Sequence, residues 1–139
     1  MSGFLFPKEE RLKSSKTIAR LFREGNSEFS YPVKFVFVIQ GSSIAPGIKV
    51  AVSVSGKKFK RAVDRNIIKR RLREAFRLQK SELLDELLSR QILMEGMFIY
   101  VANDIVDYQI IALAMKKILT GLSKETIQYQ SHSGDSTDC

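Results

Sequence analysis

The sequence predicts an α+β protein, a small α-β sandwich in which helices cover one sheet. Helical and strand-like patterns follow one another in the order α-β-β-α-β-α along the 139 residues. Residues 48–55 alternate between apolar and small or polar side chains, as a half-buried strand does. Residues 107–122 instead place apolar side chains at helical spacing. The length suits one domain, and a doubly wound parallel sheet would need more β-α units than it can hold.

The first third of the chain is predicted to contain a helix followed by strands. A serine at position 14 or 15 caps a helix with Ile18, Leu21 and Phe22 on one face, and Gly25 suits a left-handed residue at its end. The β-branched and aromatic run 33–39 indicates a strand, and a further short strand is expected around residues 29–31.

The remaining elements continue the same order. A basic helix extends into residues 81–88, Gly96 introduces a buried strand, and Asp107 can cap a last helix. From residue 123 the chain is almost entirely polar. We therefore expect one domain over residues 1–122 and a disordered tail over 123–139.

Composition excludes several classes of protein. No apolar run approaches the ~18–20 residues of a membrane span, so no membrane partner is expected. The N-terminus lacks the basic and apolar regions of a secretory signal. The single cysteine, Cys139, excludes an internal disulfide framework and a cysteine-based zinc site. A cytoplasmic protein is the expectation that follows.

Positive charge is concentrated in one segment. The chain carries 23 Lys and Arg against 15 Asp and Glu, a net charge of +8. Eleven of the basic residues and only two acids lie between Lys57 and Lys80. A charge gathered on one element is typical of a site that binds a polyanion, and nucleic acid is the leading candidate.

A helical projection of this segment separates a core face from a cationic face. Ile68, Leu72, Ala75, Phe76 and Leu83 share the apolar side. A stripe of cations lies on the opposite side of the helix, and Glu74 is expected to lie outside this stripe. Like charges at this spacing destabilise a helix, so an external anion is the expected partner, and the predominance of arginine favours phosphate. The stripe consists of Asn66, Lys69, Arg70, Arg73, Arg77 and Lys80, and the loop before the helix adds Lys57, Lys58, Lys60 and Arg61.

Catalytic and metal-binding residues are not expected in this chain. The only histidine, His132, stands in the polar tail without a catalytic partner nearby in the sequence. Asp104 and Asp107 sit at a strand-to-helix junction, where capping explains at least one of them. No metal ligands are assigned.

The basic segment resembles the signature of the bacterial ribonuclease P protein family. Its sequence from Lys57 to Arg77 is KKFKRAVDRNIIKRRLREAFR, and Arg65-Asn66-x-x-Lys69-Arg70-x-x-Arg73-Glu74 looks like the family's "RNR" motif. Similarity extends to the first helix and the last strand and helix, about residues 6–122. Lys60 departs from the pattern, since many members have glycine there.

The resemblance implies a fold of type αβββαβα with a left-handed β-α-β crossover, as in a ribosomal protein domain. It also implies the protein subunit of a ribonucleoprotein that removes the 5′ leader of precursor tRNA, in a 1:1 complex with a catalytic RNA. That RNA would bind the required Mg²⁺ and perform the chemistry. The residues that the resemblance implies as its contacts are Lys57, Lys58, Arg61, Arg65, Asn66, Lys69, Arg70, Arg73 and Arg77. The expected leader-binding residues are Phe22 and Phe37, in a cleft between the first helix and the sheet, and Ser53.

Two other functions remain open from the sequence. A non-enzymatic module that binds structured RNA, such as ribosomal RNA, could use the same cationic stripe. A self-sufficient nuclease is the third possibility, and cleavage without an RNA subunit would reveal it.

Overall fold

The computed structural model describes the backbone of residues 15–41 and 45–138, and the side chains of residues 16–23, 25–41 and 45–126. The expectations for residues 1–13, the His132 side chain and Cys139 lie outside this part of the chain. The elements are α1 (Ser15–Glu24), β1 (Asn26–Ser30), β2 (Val33–Gln40), β3 (Gly47–Val54), α2 (Ala62–Gln79), α3 (Ser81–Ser89), β4 (Leu93–Tyr100) and α4 (Tyr108–Asp138). The predicted α+β class and the short extra strand are confirmed.

The four strands form one sheet in the order β1-β2-β4-β3. β1 pairs antiparallel with β2, and β2 pairs antiparallel with β4. β3 and β4 are parallel neighbours that are joined through α2 and α3, so the predicted β-α-β crossover is present. A parallel pair needs such a helical connection because the chain must return to the starting end of the sheet.

The two faces of the sheet are covered by different helices. One face packs against α2, α3 and α4 and forms the main core, which includes Phe35, Phe76 and Phe98. The other face packs against α1 in a smaller cluster centred on Leu21, Val36, Val38 and Met97. Alternation of side chains along each strand supplies apolar residues to both faces.

Gly25 ends α1 for a different reason from the one predicted. Its N–H donates to the Leu21 carbonyl oxygen at 2.9 Å, but its φ does not lie in the left-handed region. A Cβ at this position would instead overlap the Leu21 carbonyl and lie 3.1 Å from the Phe37 carbonyl oxygen. Close approach of two backbones is therefore what requires glycine here.

The basic helix is interrupted once, at Lys80, so that two helices stand where the sequence predicts one. The second helix, α3, places Leu83 and Leu87 in the core. Asp107 occupies the position before α4 as predicted, and its carbonyl accepts from the N–H groups of Ile110 and Ile111.

α4 crosses the domain boundary that the sequence predicts at residue 122 and continues to Asp138. Near this boundary the helix packs against the sheet. A Cβ at Gly121 would meet the Glu28 carboxylate of β1 at 2.6 Å, so the helix lies directly against that strand. Thr126 is buried, and its hydroxyl donates to the Leu122 carbonyl at 2.9 Å. Residues 123–138, predicted as a tail, thus belong to α4, and the domain boundary at residue 122 stays a prediction.

Candidate nucleic-acid interface

The loop between β3 and α2 is folded before it meets any partner. The Ser55 hydroxyl oxygen accepts from the backbone N–H groups of Lys57 and Lys58, at 3.2 and 3.3 Å. Phe59 is buried, with its ring centroid 5.9 Å from that of Tyr100. The loop therefore turns around a fixed serine and an anchored aromatic ring, which leaves Lys57 and Lys58 exposed.

Arg65 braces this loop from the first turn of α2. One of its terminal nitrogens, Nη1, donates to the carbonyl oxygens of Phe59 at 2.7 Å and Lys60 at 3.0 Å. Direct contact of Arg65 with RNA stays a prediction, and the structure adds an internal task for its guanidinium. Lys60 has no positive φ, so the loop follows its path without the glycine that is common at this position.

Lys58 connects the loop to the sheet. Its ammonium group donates to the Val101 carbonyl at 3.0 Å, just beyond the end of β4. The Val101 N–H in turn donates to the Pro32 carbonyl, just before β2. The basic loop is thus fixed against the same end of the sheet at which β2 begins.

The predicted core face and cationic face of α2 are both found. Ile68, Leu72, Ala75 and Phe76 are buried. Lys69 is half-buried, whereas Asn66, Arg70 and Arg73 are exposed on the outer side. Arg61 is exposed too and makes only a long ion pair with Asp64, at 3.9 Å. We give the name basic surface to a set of residues from the loop and from the outer side of α2. Its members are Lys57, Lys58, Lys60 and Arg61 of the loop and Asn66, Lys69, Arg70 and Arg73 of α2.

Arg77 is held by an acid of its own helix, and its contact with RNA stays a prediction. Its Nε and Nη2 donate to the two carboxylate oxygens of Glu74, at 3.0 and 2.8 Å. This paired hydrogen bonding lowers the pKa of Glu74, with a smaller opposing effect of burial, and raises the pKa of Arg77. The expectation of a stripe without a compensating acid is wrong at this end, because residues three apart on a helix can pair.

A second arginine, Arg71, has a structural task that the sequence does not reveal. Its Nη1 donates to the Val106 carbonyl at 2.6 Å, which ties α2 to the segment before α4. The acceptor lies 35 residues away in the chain and belongs to the backbone, so no side-chain pattern marks it.

Leader binding is predicted between α1 and the face of the sheet on which α1 packs. Phe22 of α1 is 61% exposed, and Ser53 lies half-buried on this face. Phe37, however, is fully buried on the opposite face, with its ring stacked 5.5 Å from that of Phe35. Its assignment to the cleft is wrong because neighbouring residues of a strand point to opposite faces, and the cleft side of β2 carries Val36 and Val38.

The described part of the chain contains no group of three or more His, Cys, Asp or Glu side chains arranged to hold a metal ion. None of its helices is both long and apolar enough to pass through a bilayer.

Fold and surface together define a small α+β protein that carries a dense cluster of exposed cations on one helix and the loop before it. A model of the family described as Ribonuclease P matches residues 6–122. The chain belongs to the ribonuclease P protein family, which makes it a subunit of an RNA-containing endoribonuclease of tRNA processing.

Known relatives agree with this membership. The chain is 38% identical to the ribonuclease P protein component of Porphyromonas gingivalis over 116 residues, 84% of this chain and 85% of that protein. It is 38% identical to the protein of the same name from Dictyoglomus turgidum over 87 residues, 63% of this chain and 70% of that protein.

Solved structures share the fold. The RNase P protein of Staphylococcus aureus superposes with a TM-score of 0.63 at 24% identity, over 80% of this chain and 93% of that one. The Thermotoga maritima RNase P protein superposes with a TM-score of 0.59 at 20% identity, over 79% and 94% of the two chains.

Proposed function

We propose that this protein binds the catalytic RNA of ribonuclease P through the basic surface and holds the 5′ leader of precursor tRNA in the α1–sheet cleft. The basic surface carries this proposal. Its exposed arginines stand on one side of a rigid helix, and its loop is held by Ser55, Phe59 and Arg65. A partner therefore meets cations that are already in place, which reduces the entropy lost on binding.

The protein acts in this proposal by positioning and by neutralising phosphates. Cations at the junction of the two RNAs lower their repulsion and so lower the Mg²⁺ concentration that cleavage requires. The catalytic RNA holds the Mg²⁺ ions, which activate water for phosphodiester hydrolysis. The protein works as a monomer in a 1:1 complex with the RNA, in the cytoplasm.

Cleavage of precursor tRNA at low Mg²⁺ tests this function. Three reactions are compared: the RNA subunit from the same source alone, that RNA with the protein, and the protein alone. We expect cleavage at the mature 5′ end only in the combined reaction. Tight RNA binding without any effect on cleavage would favour a structured-RNA binding module, and cleavage by the protein alone would favour a self-sufficient nuclease.

A matched pair of variants makes this test specific to the basic surface. Arg70→Ala removes an exposed cation of the surface, whereas Lys124→Ala removes an exposed cation from α4. Loss of activation at low Mg²⁺ with the first variant and not with the second supports the proposal. Equal loss with both would attribute activation to net charge alone.

A further inference from the structure

One row of side chains crosses the whole sheet on the α1 side. In β-sheet register Phe29 of β1 pairs with Lys34 of β2, Lys34 with Ile99 of β4, and Ile99 with Ser53 of β3. Paired residues point to the same face, so these four side chains lie side by side. With strands about 4.8 Å apart, the row is about 14 Å long.

α1 covers the neighbouring part of this face and leaves the outer end of the row open. Leu21 packs with Val36, Val38 and Met97, and Ile99 is only partly buried at the margin of this cluster. Lys34 is exposed, and Phe29 is 62% exposed at the edge strand. The Phe29 ring therefore contributes little to the packing of the core.

An exposed aromatic ring beside a lysine is suited to single-stranded RNA. The ring offers a face for a base, and an ammonium group in the adjacent position can meet the phosphate. On this face β4 contributes one acid, Glu95, which pairs in register with Lys49 and Val38 rather than with Lys34.

The row also lies at the end of the sheet where the basic loop is fixed. Ser53 is two residues from Ser55, which shapes the loop, and Lys58 bonds to Val101, two residues beyond Ile99. A strand of RNA that leaves the basic surface at this end can thus continue along the row towards β1.

We infer that Phe29 is a stacking site for one nucleotide of the precursor tRNA leader, with Lys34 as the adjacent phosphate contact, so that the leader path extends beyond the α1 cleft to the edge of the sheet. This inference rests on the proposed function. It adds a contact on β1, the strand farthest from β3, and predicts that the contact requires a leader long enough to span the row.

The test compares precursor tRNAs with a long leader and with a leader of a single nucleotide, each bound by the holoenzyme. For Phe29→Ala we expect the affinity for the long-leader substrate to fall by about 5- to 150-fold, the range for loss of one base–aromatic stack. Affinity for the short-leader substrate and for the catalytic RNA should be unchanged. Phe29→Tyr retains a ring and should restore binding.

Two further variants complete the design. Leu113→Ala removes a side chain that is similarly exposed, at 55%, but belongs to α4 and lies outside the row, so it should leave leader binding unchanged. Lys34→Gln should reduce the salt dependence of long-leader binding by about 0.7 in the log-log slope, the value for one phosphate of a single strand.

Failure of this inference can be distinguished from failure of the proposed function. If wild-type holoenzyme binds long and short leaders equally, leader binding by the protein is overturned. If it prefers the long leader but Phe29→Ala preserves that preference, the stacking site alone is overturned. The stacking site is also overturned if Phe29→Ala leaves leader binding intact and changes the oligomeric state measured by sedimentation. Phe29 would then be a contact between protein molecules.

Discussion

Two arginines of α2 allow the electrostatic role of the basic surface to be tested within one helix. Arg70 is exposed on the outer side, whereas Arg77, two turns later, is held by both carboxylate oxygens of Glu74. Replacing either one by alanine changes the formal charge of the protein by the same amount. Any difference between Arg70→Ala and Arg77→Ala therefore reports position and pairing.

The expected size of the difference follows from counterion release. One phosphate contact contributes about 0.7–0.9 to the slope of log affinity against log salt concentration. At about 0.15 M salt, the loss of one such contact lowers the affinity for RNA roughly four- to sixfold, which is about 1 kcal/mol of binding free energy. We expect Arg70→Ala to show this loss and a slope that is smaller by nearly one, and Arg77→Ala to leave the slope unchanged.

The assay is equilibrium binding of the catalytic RNA from the same source across a series of salt concentrations. Circular dichroism and thermal melting of each variant establish that both remain folded. The reasoning is refuted if Arg77→Ala reduces the slope as much as Arg70→Ala does. It is equally refuted if Arg70→Ala, correctly folded, binds with unaltered affinity and slope.

Three further predictions concern the pairing, packing and hydrogen bonding seen in the structure. Glu74→Gln should release Arg77 and strengthen binding of the catalytic RNA by about fivefold at 0.15 M salt, one additional phosphate contact; the same salt series checks it, and unchanged binding would contradict it. Gly96→Ala places a Cβ on the ring of Phe35 and 2.8 Å from the Val36 carbonyl oxygen, so denaturant unfolding should show a loss of about 1–3 kcal/mol. Burial raises the pKa of Tyr100 above its ordinary value of 10.0, and its hydroxyl donates to the Asp104 carbonyl at 2.6 Å. Because the protonated form is favoured in the folded state, this contribution to stability is complete below pH 10 and is lost as the pH rises through the raised pKa. Thermal melting between neutral and alkaline pH should show that decline in the wild type and a weaker one in Tyr100→Phe, which should also lose about 1–3 kcal/mol at neutral pH.

Patterns with a short period could be predicted from the sequence. The apolar side of α2 needs only the helical period, and Ile68, Leu72, Ala75 and Phe76 are all buried as expected. The strand at residues 48–55 needs only the period of two, and Ile48 and Val50 point to the core. Each of these elements repeats its own period over several turns or pairs, so a single misread residue does not change the result.

Features that depend on a single residue or a distant partner could not be predicted. Phe37 lies in a run in which almost every residue is apolar, and such a run does not show which residues face α1. The acceptors of Arg65 and Arg71 are backbone carbonyls, which leave no trace in the sequence. The length of α4 is a further example, because polar composition predicts an end near residue 122 whereas the helix continues to Asp138.

The arginines of α2 differ in what their side chains contact. Arg65 holds the carbonyl groups of the loop, Arg71 holds the segment before α4, and Arg77 is neutralised by Glu74. Arg70 and Arg73 remain exposed on the outer side. A count of cations therefore overstates the number of phosphate contacts that the helix can make. The arginines that hold the scaffold also fix the backbone from which Arg70 and Arg73 project, and a site that is ordered in advance loses less entropy on binding than a mobile one.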